Sequence, residues 1–109
     1  MELKKLQENG ITVLKVAGQL TSSTSPALEK AINEILETEK NLILDFAELE
    51  FLASSGIRVI LSTQKKINSK NGALVIRNVK KVVMDVFEMT GLREFLNVFS
   101  GNRQILGLE

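Results

Sequence analysis

The stretch NLILDF, residues 41–46, sets Leu42, Ile43 and Leu44 side by side, and ALVIRN, residues 73–78, does the same with Leu74, Val75 and Ile76. Short apolar runs without alternation are the mark of strands covered on both faces, as in parallel sheets whose strands are joined by helical crossovers. The segments around these runs carry the matching helical period. In SPALEKAINEILETEK, Leu28, Ala31, Ile32, Ile35 and Leu36 recur at helical spacing, Ser25 is placed to cap the first turn, and Pro26 falls where its missing N–H costs nothing. A second helix is predicted from about Ser55 to Ser69, with Ile57, Ile60, Leu61 and Ile67 inward, Arg58, Lys65 and Lys66 outward, and Asn71-Gly72 as its stop. Asn78 is placed to cap a third, with Val79, Val82, Val83, Val86 and Phe87 on the apolar face and Gly91 at its end.

The chain opens differently. Asn9-Gly10 is the pair that best tolerates the positive φ angles of a type I′ turn, so residues 2–8 and 11–17 read as an antiparallel hairpin. Its second strand places Ile11 and Val13 on one face and Leu14 and Val16 on the other, which predicts an interior position. FLNVF, residues 95–99, reads as a last short strand, and Ile105, Leu106 and Leu108 as a docked final segment. The order β-β-α-β-α-β-α plus a short strand predicts an α/β sandwich: a mixed sheet with an N-terminal antiparallel hairpin and parallel strands, packed by amphipathic helices. With 109 residues, 44% hydrophobic and 25% charged, the chain is long enough for one core and too short for two, so residues 1–109 are expected to form a single domain.

Composition removes most chemistry. There is no Cys and no His, which excludes disulfides, thiolate nucleophiles, imidazole catalysis and the usual zinc sites. Neither GxGxxG nor GxxxxGK[ST] occurs, and ASSGI is not the GxSxG of a nucleophile elbow. Asp45 ends a central strand, where a phosphoryl-accepting aspartate would lie, but the first strand end reads AGQLTSS and offers no acidic partner for Mg²⁺. No metal or cofactor is expected. The net charge of +1, with no basic stripe interleaved with aromatics, argues against nucleic acid. The absence of a signal-peptide core and of a run near 20 apolar residues predicts a cytoplasmic protein without membrane insertion.

What remains is FLASSGIRVIL, residues 51–61, where a small polar triplet separates two apolar runs. Ser54 or Ser55 fits an N-cap on structural grounds alone. The same place suits a switch. A phosphate there gains about 0.3–1 kcal/mol from the helix dipole and free N–H groups, so the fold tolerates it. A partner matched to the bare hydroxyl meets about −1.5 to −2 of new charge beside Glu48 and Glu50.

NLILDFAELEFLASSGIRVILSTQKKI, preceded by GQLTSSTSPALEKAI and followed by ALVIRNVKKVVMDVFEMTGLREFLNVF, resembles the STAS domain of bacterial anti-sigma factor antagonists over nearly the whole chain. The family reads as an apolar strand ending in Asp, a loop with an aromatic or apolar residue, Asp-Ser-Ser-Gly or Asp-Ser-Ala-Gly, and an apolar helix. The resemblance implies a protein without catalytic activity that binds an anti-sigma factor carrying a serine kinase of the histidine-kinase-like ATPase type. It implies phosphorylation at Ser54, with Ser55 the lesser candidate, and a partner surface of Thr21, Ser22, Ser23, Phe51, Leu52, Ala53, Ser54, Ser55, Gly56 and Arg58. Two positions depart: Ala53 and Thr21 stand where the family has aspartates. They favour an alternative, a STAS scaffold or accessory subunit of a signalling or transporter assembly, without covalent control.

Overall fold

The computed structural model describes residues 1–101, so the docking expected of Ile105, Leu106 and Leu108 lies outside the described residues. Strands β1 (Glu2–Glu8) and β2 (Ile11–Leu20) form the opening hairpin, followed by α1 (Ser25–Leu36), β3 (Leu42–Leu52), α2 (Ser54–Ser69), β4 (Leu74–Arg77), α3 (Lys81–Met89), a 3-10 turn at Leu92–Glu94 and β5 (Asn97–Val98). The sheet order is β1-β2-β3-β4-β5, with β1 antiparallel to β2 and the other neighbours parallel. Asn9 (φ 53°) and Gly10 (φ 81°) both take the positive φ that the two-residue turn requires. The last strand is shorter than its apolar run: only Asn97 and Val98 pair, with Val75 and Ile76.

Because each crossover steps to the next strand in the same direction, right-handed connections put all three helices on one face. Leu28, Ile32, Ile60, Ile67, Val83 and Phe87 from the helices join Leu14, Val16, Leu44 and Phe46 of the sheet in the main core. The other face carries a strand-only cluster of Ile11, Val13, Ile43 and Val75, flanked by Leu6, Ala73 and Phe99. The apolar runs are therefore buried on both sides, as expected, although helices cover only one.

Helix faces differ in detail. In α2, Val59 and Thr63 are buried while Ile57 and Leu61 are only partly so. Thr63 can occupy the core because its hydroxyl donates to the Val59 carbonyl at 2.8 Å. Asn78 does not cap α3. It adopts φ 57°, its amide donates to Asp45 Oδ2 at 3.1 Å, and the helix starts later, with Lys80 at the cap position and Val82 left 55% exposed.

Arg77 ends β4 as a 3% exposed residue. Its Nε donates to Asp45 Oδ2 at 3.0 Å, and its Nη1 and Nη2 donate to Glu8 Oε1 and Oε2 at 2.8 and 2.7 Å. Since β2 and β3 lie between β1 and β4, one guanidinium braces the edge hairpin against the sheet interior. Asp45 Oδ1 accepts the Ala47 N–H at 2.9 Å, so both of its oxygens are engaged in holding the fold.

The bonds from Arg77 hold the Glu8 carboxyl below its ordinary range, against a smaller opposing effect of burial. A carboxylate with a depressed folded-state pKa gives stability that is complete above its unfolded value and is lost as pH falls through the folded one. Wild type is therefore expected to lose stability on acidification below about pH 4.3, the ordinary glutamate value, and Glu8→Gln to show a shallower acid limb. Thermal melts of both proteins across pH 2–6 check this.

Candidate functional site

Strands β2 and β3 end side by side, with Leu20 paired to Leu52 and the Ala53 N–H donating to the Leu20 carbonyl at 2.9 Å. Each then runs into a helix, so the N-termini of α1 and α2 converge at this end of the sheet. Two positive dipole ends face the same region; the N–H groups of Ser54 and Ser55 at the start of α2 have no hydrogen-bond partner among the described residues, whereas in α1 Ser25 and Ala27 are already bonded and Pro26 has no N–H.

The serines are not caps. Ala53 occupies the cap position of α2 in extended backbone, and its carbonyl accepts from the N–H groups of Gly56 at 2.9 Å and Ile57 at 3.1 Å. Ser54 is the first helical residue, exposed, and its hydroxyl makes no hydrogen bond among the described residues. Ser55 is half-buried, its Oγ 3.4 Å from Ser25 Oγ. Ser25 is likewise not the cap of α1: that position belongs to Thr24, and Ser25 is 3% exposed with its hydroxyl donating to the Thr21 carbonyl at 2.6 Å. The loop between β2 and α1 is tied by Thr24, which accepts from the Thr21 N–H and donates to the Gln19 carbonyl, both at 2.8 Å. The reasons differ: β3 stays extended through Ala53, so α2 begins at Ser54, whereas the chain after β2 turns over residues 22–24 and Thr24, in helical backbone at φ −102° and ψ −22°, takes the cap position of α1.

Of the remaining residues expected here, Ser22, Ser23, Phe51 and Arg58 are exposed, with Phe51 at 48%, while Thr21 and Ala53 are half-buried. Glu48 and Glu50 are exposed on the same stretch of β3 as Phe51. Leu52 and Gly56 are buried and lie beneath the surface rather than on it. Gly56 has a packing role: a Cβ there would come within 2.7 Å of Leu20 Cγ and Cδ2 and of Leu52 Cδ1. Gly56→Ala is expected to cost about 1–3 kcal/mol, since overpacking must push back the side chains that seat the start of α2; denaturant titration gives the value.

Asp45 shares the Arg77 guanidinium with Glu8, and among the described residues no group of three or more His, Cys, Asp or Glu is arranged to hold a metal. No described helix is long and apolar enough to cross a membrane. The Arg77 brace is what sequence reasoning missed. The available signal was a charged residue directly after three buried strand positions.

The sequence model of the STAS domain family matches residues 2–104. The chain belongs to the STAS domain family. Among its relatives is the anti-sigma-F factor antagonist RsfB of Mycobacterium tuberculosis, 32% identical, with 84% of this chain and 75% of that protein covered. An anti-sigma factor antagonist from Mycobacterium paratuberculosis superposes with a TM-score of 0.78 at 25% identity, covering 90% of this chain and 84% of that one. The Bacillus cell fate determinant SpoIIAA, solved in a phosphorylated form, shares the fold with a TM-score of 0.70 at 18% identity, covering 89% of this chain and 90% of that one. The STAS assignment agrees with the fold, which places the ASSG segment of this chain at the junction of β3 and α2.

Proposed function

We propose that this STAS domain is a cytoplasmic anti-sigma factor antagonist, that its partner is an anti-sigma factor with a serine kinase domain, and that phosphorylation of Ser54 releases that partner. The observation that carries this reading is the state of Ser54: exposed, at the convergence of two helix N-termini, and without a side-chain hydrogen bond among the described residues. A capping serine is occupied by the helix it caps; this hydroxyl is left for another molecule. Phe51, 48% exposed three positions before Ser54, offers aromatic contact area. The chain acts as binder and kinase substrate, with no catalysis of its own.

A second reading, an uncovalently controlled STAS scaffold, draws on Ala53 and Thr21, which leave the serine without adjacent carboxylates. The test is a pull-down from native cells with wild type, Ser54→Ala and Ser54→Asp as bait, combined with mass spectrometry of the endogenous protein. A histidine-kinase-like ATPase captured by wild type and Ser54→Ala but not Ser54→Asp, with phosphate found on Ser54, supports the switch. The same partner on all three baits and no phosphate under any growth condition would support the scaffold.

A further inference from the structure

The two edges of the sheet are unequal. β5 has only two residues, whereas β1 has seven, in continuous register with β2 and without a bulge. Among the described residues no strand lies on the outer side of β1. A long regular edge is a template for pairing unless something blunts it. Clefts of about 270 and 180 Å³ flank this strand, the second bounded by Leu3, Lys5, Leu14, Ala31, Glu34 and Ile35 between β1 and α1.

The charges on β1 indicate the occupant. Lys4 is directly opposite Lys15 in the hairpin, a like-charge pair that disfavours the ladder, and neither ammonium has a carboxylate at ion-pair distance among the described residues. In a hairpin closed by two residues, Glu8 and Ile11 exchange backbone bonds, so Glu2, Lys4 and Leu6 also bond inward while Leu3, Lys5 and Gln7 turn their N–H and C=O outward. We propose that β1 pairs antiparallel with β1 of a second copy, with Leu3 on the two-fold axis, joining two five-stranded sheets into one.

In that register Leu3 faces Leu3, and Glu2 faces Lys4 of the second copy, twice by symmetry. These Glu–Lys pairs fall at non-hydrogen-bonded positions, where side chains approach most closely. The incoming Glu2 carboxylate lies on the face that carries Lys4 and Lys15, whose cleft this chain's own Glu2, Asp45 and Glu48 also line, and comes directly opposite Lys4, which has no carboxylate at ion-pair distance among the described residues. Other two-fold registers are poorer. An axis at Lys4 or Lys5 sets lysine against lysine, one at Leu6 calls on Glu8, which Arg77 already holds, and one at Gln7 sets Leu6 against Glu8. The interface is self-complementary, as a closed dimer demands.

Sedimentation velocity of the full chain over a concentration series tests this, with far-UV circular dichroism confirming that each variant is folded. Wild type is expected to pass from monomer to dimer, more weakly in high salt. Glu2→Lys and Lys4→Glu are each expected to raise the dimer dissociation constant about tenfold or more, and the double variant to return it to within about threefold of wild type, because the pairs re-form with exchanged signs. Lys4→Gln, a milder change, should fall between wild type and Lys4→Glu. Wild type that stays monomeric to millimolar concentration overturns the proposal, as does a dimer indifferent to both single reversals, or a double variant no tighter than the singles.

Discussion

Replacing Arg77 with alanine is expected to cost the fold about 3–5 kcal/mol and to lower the midpoint of thermal unfolding by roughly 15 °C or more. The guanidinium makes three charge-assisted hydrogen bonds, one to Asp45 and two to Glu8. Without it Asp45, 3% exposed, keeps among the described residues only the Ala47 N–H and the Asn78 amide as donors and loses the one cation bonded to it there. A domain of this size has about 5–15 kcal/mol of stability in total, so the variant approaches the limit of folding. The cost comes from stranding a charge rather than from the net worth of the brace. Replacing Glu8, Asp45 and Arg77 together by apolar residues of similar volume should therefore recover most of the loss. Urea denaturation of the single and triple variants measures both. A loss below about 1 kcal/mol for Arg77→Ala, the range of exposed pairs, would contradict the burial of this network.

The second large effect is on binding. Ser54→Asp is expected to weaken the partner complex by at least about a hundredfold, equivalent to about 2.8 kcal/mol, while Ser54→Ala stays close to wild type. The Ser54 hydroxyl is not a cap and makes no hydrogen bond among the described residues, so neither change should move folding stability by more than about 0.5 kcal/mol, and affinity can be read without a correction for unfolding. A carboxylate at this helix start is even mildly favoured by the dipole. Its penalty arises only in the complex, where it would be desolvated against a surface matched to the bare hydroxyl. Isothermal titration of the isolated partner with the three proteins gives the numbers; equal affinity of Ser54→Ala and Ser54→Asp would remove the electrostatic basis of the switch.

Particular segments show how far sequence reaches in this protein. NLILDF and ALVIRN declared buried parallel strands because an unalternating apolar run can be satisfied only with both faces covered. Asn9-Gly10 declared the hairpin because few residue pairs accept two positive φ angles in succession. Ser54 stood out in sequence because a polar triplet between apolar runs has to be a boundary. Its neighbours were harder to sort. Leu52 and Phe51 are adjacent and both apolar, yet one is 4% exposed and the other 48%, a difference set by which way the strand end faces after its register shifts against β2.

Local signals, the apolar period, the turn pair and the polar boundary, determined the order of elements, the parallel core and the location of the candidate switch. Tertiary structure alone decided that the serines do not cap, that Asn78 reaches for Asp45 instead of starting a helix, and that Glu8 and Arg77 meet across two intervening strands. The division has a physical cause: propensity and periodicity act between near neighbours in the chain, whereas a buried charge takes its partner from whatever the assembled sheet brings within hydrogen-bonding distance.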